Sequence, residues 1–325
     1  MLSTRRWLIA IAGGLVASLV AGAMPAAAQK WPQRAVKFIV PLGPGSGVDI
    51  GTRLVADALS KKWGQPTVVE NRPGGDGLLA INAFVTGNDD HVLLASPSSS
   101  FTHHPHVYKN LSYKPSDLVP IARLSNTIIA VAVPASLPVK SLADVAAMAR
   151  AEPGKLNWAG TTGGVDFVVA AFLKTAGLEM TKVPYRNPVE AANDVAAERV
   201  QFYAAAYAIV RPQLQAGKLK LIAVTNSERA PTLPDLPTAK EAGFPDLTFD
   251  GLVGFFGWAG MPTELRDSIA ADIREAAADP TIEERLSLTG QIPNPGGPAE
   301  FGAAIEAQRA RLAQAAKELG IVPTQ

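Results

Sequence analysis

The sequence contains no cysteine, so disulfide bonds, thiolate metal ligands and a cysteine nucleophile are all excluded. Charged residues make up only 18% of the 325 residues, and the formal net charge is +1. A chain with so little excess positive charge is not a nucleic-acid-binding protein. Stability must come from burying the apolar residues, which at 47% suffice for a full core, and the length predicts two domains.

The N-terminal residues have the pattern of a secretory signal peptide. Arg5 and Arg6 precede an apolar segment at 7–23, and the small residues of MPAAAQ predict cleavage after Ala28. A transmembrane anchor is the alternative, although the segment is short for a membrane span. Cleavage removes both arginines and no acidic residue, which brings the net charge to about −1. The Sec and twin-arginine export routes both stay open.

A glycine-rich loop joins the first predicted strand to the first predicted helix. The apolar run Val36–Val40 predicts a buried strand, and Val48, Leu54 and Leu59 recur at helical spacing. Glycines let backbone N–H groups approach a ligand, and the helix start adds unpaired N–H groups and partial positive charge. The loop therefore favours an anion. An ordinary tight turn that needs glycine for its positive φ is the alternative.

The kind of anion is narrowed by what this loop lacks. No lysine lies between Val40 and Leu54, so the loop is not a phosphate-binding P-loop. The dinucleotide pattern G-x-G-x-x-G also fails, because Val48 and Ile50 stand where the third glycine is required. A carboxylate therefore fits the loop better than a phosphate.

Strand and helix signals alternate along the rest of the chain, which predicts an α/β fold with parallel strands. A block of three helices is predicted near the C-terminus, and it has too few strands for a sheet of its own. We expect this block to complete the first domain and to leave a cleft between two lobes. The predicted strands lie at 67–70, 91–95, 127–133, 156–159, 181–185, 200–204 and 219–225, and the predicted helices at 78–85, 142–151, 167–176, 189–197, 262–277, 281–288 and 298–319.

A segment rich in serine and histidine follows the strand predicted at 91–95. We expect Ser98 and Ser99 to cap or line the cleft as polar loop residues. The rival interpretation is a hydrolase with a nucleophile from 96–100 and a base from 103–106. However, the elbow G-x-S-x-G is absent, and H-H-x-H on a loop has no acidic ligand at a set spacing. We therefore expect no catalysis, no bound metal and no cofactor.

Several stretches carry a resemblance to a known family, and they cover nearly all of the mature chain. They are VPLGPGSGVDIGTRLVADALSKKWGQPTVVENRPGGDG, VPYR at Val183, AGKLKLIAVT at Ala216 and PTLPDLPTAKEAGFPDL at Pro231. In this order they resemble the Bug/TctC family, the extracytoplasmic solute receptors of tripartite tricarboxylate transporters. The resemblance implies two Rossmann-like lobes with a ligand cleft between them, similar to type II periplasmic binding proteins. Lobe 1 would comprise 29–128 and 250–325, and lobe 2 would comprise 129–249.

The resemblance also implies a function. The chain would be a monomeric periplasmic receptor that captures a small organic carboxylate and presents it to a membrane permease, with a sensor kinase as the alternative partner. The lobes would close about hinges at 126–129 and 250–253. A secreted serine hydrolase is the alternative function.

The family's first ligand loop has the pattern P-F-x-P-G-G-x-x-D. Here Leu42 replaces the usual aromatic residue, and Ser46 replaces a glycine while adding a hydroxyl donor. We expect Asp49 to act as a helix cap and dipole partner rather than to contact the ligand. The resemblance implies ligand contacts from Leu42, Gly43, Pro44, Gly45, Ser46 and Gly47.

The second ligand loop departs further from the family. GTTGGVDF, at 160–167, is one residue shorter than the usual turn, and Asp166 stands in the place of a histidine. We expect Asp166 to cap the helix, and a contact with an amino or hydroxyl group of the solute is the alternative. Ala205 lies where the family commonly has an acidic residue, so a counter-ion for an ammonium group is lost. The implied contacts of this second loop are Thr161, Thr162, Gly163 and Gly164.

Overall fold

The computed structural model describes residues 31–161 and 163–323. Residues 34–325 form one compact unit. The predicted signal peptide and Thr162 lie outside the described residues. Among the described helices, none combines the length and the apolar character needed to cross a membrane.

A six-stranded sheet has the strand order β11-β4-β10-β3-β1-β2. Strand β1 lies parallel to both β2 and β3, whereas β10 runs antiparallel between β3 and β4. The C-terminal part of the chain therefore returns to the six-stranded sheet through β10 and β11. The strands of this sheet are β1 (Val36–Val40), β2 (Thr67–Asn71), β3 (Val92–Pro97), β4 (Leu118–Thr127), β10 (Gly251–Trp258) and β11 (Gln291–Gly296).

The other strands lie between β4 and β10 in the chain. They form a three-stranded sheet, β8-β5-β9, and a parallel pair, β6-β7. A parallel bridge between Trp158 and Phe202 places β6 beside the segment that leads into β8. These strands are β5 (Ile129–Pro134), β6 (Asn157–Gly160), β7 (Thr181–Pro184), β8 (Tyr203–Ala206) and β9 (Leu219–Val224). We refer to the region built on the six-stranded sheet as lobe 1 and to the region built on β5–β9 as lobe 2.

The helices begin and end at residues whose chemistry suits those positions. Ser46 caps the first helix, and Gly64, with a φ of +66°, ends it in the left-handed conformation that glycine favours. The helices are α1 (Gly47–Trp63), α2 (Leu78–Val85), α3 (Ser98–Val107), α4 (Leu142–Ala151), α5 (Gly164–Thr175), α6 (Pro188–Ala196), α7 (Tyr207–Gln215), α8 (Thr263–Ala277), α9 (Pro280–Leu288) and α10 (Pro298–Leu319).

The last helix, α10, packs into the cores of both lobes. Phe301 and Ile305 are buried with the apolar side chains of lobe 1. Two turns further on, Leu312 and Ala315 are buried in the main core of lobe 2. Burial of each large apolar side chain contributes about 1.5–3 kcal/mol, so α10 holds the lobes together through ordinary core packing. The predicted lobe boundaries remain a prediction, which the distribution of strands between the sheets supports.

The prediction that the serine and histidine segment is a loop is wrong, because residues 98–107 form α3. Serine, histidine and Pro105 are poor helix formers. The helix is instead held by its contacts: Phe101 is buried in the core of lobe 1, and Thr102 donates a hydrogen bond to Gln308 of α10. Tertiary packing therefore outweighs local propensity in this segment.

Candidate functional site

Two pairs of helices begin after strands that lie side by side. In lobe 1, α1 follows β1 and α3 follows β3, and these two strands are parallel neighbours. In lobe 2, α5 follows β6 and α7 follows β8, with the parallel bridge between them. Because parallel strands end at the same edge of a sheet, each lobe presents a pair of helix N-termini at one edge.

Three of these four N-termini have no side-chain cap among the described residues. The N-cap positions of α3, α5 and α7 are Pro97, Gly163 and Ala206, none of which accepts a hydrogen bond through its side chain. In addition, α3 and α7 have no acidic residue in the first turn. Their N–H groups and helix dipoles therefore favour an anion. No pattern in the sequence predicts α7.

The first loop is closed by Asp49. Its carboxylate accepts hydrogen bonds from the Gly45 N–H at 2.9 Å and from the Asn71 side chain at 2.8 Å, and it pairs with Arg53. Burial opposes ionisation of this carboxyl, but these hydrogen bonds outweigh burial and lower the pKa of Asp49. Asp49 lies in the first turn, as expected for a dipole partner, but the N-cap is Ser46, whose side chain accepts a hydrogen bond from the Asp49 N–H. The same Asn71 amide also donates to the Leu42 carbonyl at 2.9 Å and so fixes the loop.

The loop uses some of its predicted ligand donors internally. The Gly45 N–H donates to Asp49, and the Ser46 N–H donates to the Gly43 carbonyl at 3.3 Å. Gly43 and Gly47 are the better candidate donors for a ligand. Pro44 is exposed and Leu42 is half-buried at the same loop.

Gln291 was not predicted to lie near the first loop. A Cβ atom on Gly47 would lie 2.5 Å from the Gln291 Nε2 atom, so the Gln291 side chain lies against the start of α1. The Gln291 Oε1 atom accepts a hydrogen bond from Ser125 at 2.9 Å. Gln291 therefore joins the start of α1 to β4. No local pattern could have indicated it, because 244 positions separate it from Gly47.

The second loop connects β6 to α5. The Thr161 side chain lies beside Tyr203, a buried phenol of β8 whose pKa is raised by burial. Gly163 has a φ of +102°, a backbone conformation that favours glycine. A Cβ atom on Gly164 would lie 2.8 Å from the Phe249 ring, so α5 can pack closely only with glycine there. The loop is thus held from both sides.

Asp166 lies in the first turn of α5, but the prediction that it caps this helix is wrong. Its Oδ2 atom accepts a hydrogen bond from Lys182 of β7 at 2.7 Å, and Gly163 is the N-cap. The Oδ1 atom is buried without a hydrogen-bond partner among the described residues. Burial raises the pKa of Asp166, although Lys182 and His103 act in the opposite direction.

Ser98, Ser99 and Ala205 occupy different environments. The Ser98 hydroxyl is buried and donates to the Gln308 side chain at 2.7 Å, so this side chain serves packing rather than the cleft. Ser99 is half-buried in the uncapped first turn of α3. Ala205 is buried in β8, paired with Ala130. The expectation that the serines are loop residues is wrong, because both lie in α3.

The described residues contain no serine–histidine pair of the kind that a hydrolase uses. The Ser96 hydroxyl donates to a backbone carbonyl, and Ser98 donates to Gln308. His104 is buried, with Nδ1 2.7 Å from the Tyr113 hydroxyl and Nε2 2.9 Å from the Asp76 carbonyl oxygen. A nucleophilic serine needs its base within hydrogen-bond distance, so this geometry does not support the rival function.

The segments that join the lobes are tied together by Asn226. Its amide donates to the Thr127 carbonyl at 3.0 Å, and its Oδ1 atom accepts a hydrogen bond from the Ile129 N–H at 2.9 Å. A cavity of about 600 Å³ lies beside this crossing and is lined by Arg123, Asp250 and Arg311 among others. None of the predicted ligand-binding residues lines it.

Two helix-flanked sheets joined by crossing segments are the architecture of the two-lobed periplasmic binding proteins. The sequence identifies the family within this class. Residues 52–320 match the family described as TctC, the tripartite tricarboxylate transporter family receptor. This chain belongs to that family. The resemblance and the fold class expected from the sequence are confirmed. The family and its structural neighbours are binding proteins rather than enzymes.

Individual relatives agree with this assignment. A UPF0065 protein of Bordetella bronchiseptica is 29% identical over 308 residues, which cover 94% of this chain and 92% of that protein. The structure of R. palustris Rpa4515 with adipate has a TM-score of 0.79 and 29% identity, and covers 91% of this chain and 100% of that one. MatC from Rhodopseudomonas palustris, with bound malate, shares the fold at a TM-score of 0.74 and 24% identity, over 88% of this chain and 100% of its own.

Proposed function

We propose that the protein is a periplasmic receptor that captures a small organic carboxylate between its lobes. The observation that carries this proposal is the set of uncapped helix N-termini at α3, α5 and α7. Each offers N–H donors and a partial positive charge, which a carboxylate satisfies without any charged side chain. The ligand would thus bind mainly to backbone groups.

The ligand class is supported by one relative. Rpa4515 was solved with adipate and is 29% identical to this chain. Adipate has a carboxylate at each end, and two pairs of helix N-termini offer a place for each. Because the small side chains of Ala205 and Ala206 provide no counter-ion for an ammonium group, we infer a carboxylate without an amino group. Adipate is therefore the first compound to test.

The contacts that we propose come from both lobes. The first loop and the start of α3 would hold one carboxylate, and the loop between β6 and α5 would hold the other. Asp166 lies next to the second loop, but its carboxylate is not one of the hydrogen-bond donors that we propose for the ligand. Ser98 would contribute only its backbone N–H group, because its hydroxyl donates to Gln308. The proposed ligand-binding residues are Leu42, Gly43, Pro44, Gly45, Ser46, Gly47, Ser98, Ser99, Thr161, Thr162, Gly163, Gly164 and Ala205.

Delivery to a membrane permease is the proposed role of the loaded receptor. The family is described as a transporter receptor, and the N-terminal residues have the pattern of an export signal. A sensor kinase is the alternative partner. A deletion strain should lose uptake of the cognate carboxylate or the induction of genes by it, and a strain unchanged in both respects would contradict delivery.

A thermal-shift screen of mono-, di- and tricarboxylates tests ligand capture. A ligand at 100 times its Kd adds about 2.7 kcal/mol to the free energy of unfolding, which is easily seen as a higher Tm. Gly43→Val is the sharpest variant, because a Cβ atom there meets no other atom within 4 Å and φ is not positive. The unliganded protein should keep its Tm while the ligand-induced shift disappears.

Gly302→Val is the matched control. Gly302 lies within α10, and a Cβ atom there also meets nothing within 4 Å. This variant should keep the full ligand-induced shift. If no carboxylate raises the Tm of the wild type, the proposed function fails. If Gly43→Val responds as fully as Gly302→Val, the first loop is not part of the site.

A further inference from the structure

Asp76, His103 and His104 form a compact cluster where the turn before α2 meets α3. The Asp76 Oδ2 atom lies 3.5 Å from His103 Nδ1 and 3.6 Å from His104 Nε2. One ligand atom from each residue can be chosen so that all three lie within 4.8 Å of one another. A tetrahedral ion with bonds of about 2.1 Å keeps its ligand atoms about 3.4 Å apart. The cluster therefore has the dimensions of a metal site.

The backbone holds the Asp76 side chain in place at some cost. Asp76 has a φ of +54°, which is uncommon for a residue other than glycine. Its neighbours Gly75 and Gly77 also have positive φ, so all three residues of this turn have a positive φ. Such conformations persist where the surrounding structure requires them, often at a functional site.

His103 provides an independent indication of a ligand. Its side chain is only 4% exposed, and its Nδ1 atom has no hydrogen-bond partner among the described residues. The ring packs edge-on against Phe167 of α5 with the centroids 4.8 Å apart, and this contact restrains its orientation. Buried polar atoms in native proteins nearly always have a partner. An ion between Nδ1 and Asp76 would supply one.

The orientation of His104 also suits a ligand. The Asp76 carbonyl oxygen, 2.9 Å from Nε2, can only accept, so Nε2 carries the proton and Nδ1 accepts from the Tyr113 hydroxyl at 2.7 Å. Binding of an ion at Nε2 requires the other tautomer, in which the Nδ1–H group donates to the Tyr113 oxygen. Metal-binding histidines usually donate their second N–H in this way.

We propose that Asp76, His103 and His104 bind one divalent transition-metal ion of the zinc class. Two imidazole nitrogens and a carboxylate oxygen suit Zn²⁺, Co²⁺ or Ni²⁺ better than Ca²⁺ or Mg²⁺, which prefer oxygen ligands alone. The chain has no cysteine that would compete for the ion. The proposal goes beyond carboxylate capture and is an alternative to the expectation that no metal is bound. Asp76 precedes His103 by 27 positions and His104 by 28, so no local spacing indicates it as a ligand.

Zinc titration of the tag-free, chelator-treated protein tests the proposal. Isothermal titration calorimetry with zinc chloride should show one ion per chain. His103→Gln and Asp76→Asn should each bind zinc at least tenfold more weakly. In the wild type, but not in His103→Gln, Co²⁺ should give the visible absorption of tetrahedral coordination. Circular dichroism checks that each variant is folded.

His106→Gln is the matched control, because His106 lies on the same helix outside the cluster. It should bind zinc as the wild type does. The proposal is overturned if the wild type shows no saturable binding of one ion, or if His103→Gln binds equally well. Weak binding shared by all variants would be adventitious and would also overturn it. None of these results depends on carboxylate binding, so failure here leaves the proposed receptor function untouched.

Discussion

Lys182 and Asp166 form an ion pair of 2.7 Å that joins β7 to the first turn of α5. Lys182 also lies over the Trp158 ring, 5.2 Å from its centroid, and this contact helps to hold the ammonium group in place. The negative charge of Asp166 is thus partly compensated directly beside the second loop. An anion could bind there in spite of the carboxylate.

Asp166→Asn should tighten carboxylate binding. The substitution removes a negative charge near the proposed anion site and leaves the positive charge of Lys182, so we expect the Kd for adipate to fall roughly threefold to tenfold. Calorimetric titration at low ionic strength measures the change. Lys182→Gln is the opposing variant and should weaken binding. Equal Kd values in all three proteins would show that Asp166 lies too far from the ligand to influence it.

Asp49→Asn should destabilise the protein in a pH-dependent manner. The pKa of Asp49 is lowered below 3.8 on folding, so its contribution is complete above that value and is lost as the pH falls through the folded pKa. Asparagine can still accept the Gly45 N–H but cannot pair with Arg53. We expect a deficit of about 1–3 kcal/mol at pH 7 that shrinks below pH 4. Urea unfolding at both pH values measures it, and a deficit independent of pH would contradict this role.

Asn226→Ala should weaken the crossing between the lobes. The variant loses hydrogen bonds to Thr127 and Ile129 and leaves a buried N–H without its acceptor, at a cost of about 1–3 kcal/mol. Chemical denaturation measures the loss. Gln213→Ala is the control, because it removes an exposed hydrogen bond between the Gln213 amide and Asn193. Surface substitutions of this kind usually change the free energy of unfolding by less than about 0.5 kcal/mol. If both variants lose a similar free energy of unfolding, the hydrogen bonds of Asn226 do not stabilise the crossing between the lobes.

Ligand binding should close the lobes about the crossing segments. The predicted hinges at 126–129 and 250–253 include Thr127 and Ile129, which Asn226 joins. Small-angle scattering with saturating adipate should give a smaller radius of gyration than scattering without it. Since α10 packs into both cores, we expect a small change. Superimposable curves would contradict closure.

Much of the fold was predictable because its elements follow local patterns. The bounds predicted for β1, α2, α4 and α10 agree with the structure. Strands β4 and β11 were missed or only partly found, since Pro120, Pro293 and Pro295 interrupt a strand pattern that their sheet partners nonetheless stabilise. Helix α7 was missed for a similar reason, because it contains Pro212.

What the sequence determined by itself is the alternation of strands and helices, the glycine loop before α1 and the family resemblance, all of which depend on residues close together in the chain. The tertiary structure alone decided which distant residues meet. It placed Asp76 against His103 and His104, and Ser98 against Gln308, 210 positions away. Such pairs leave no local periodicity, because their contacts form only when packing of the whole core brings separate elements together.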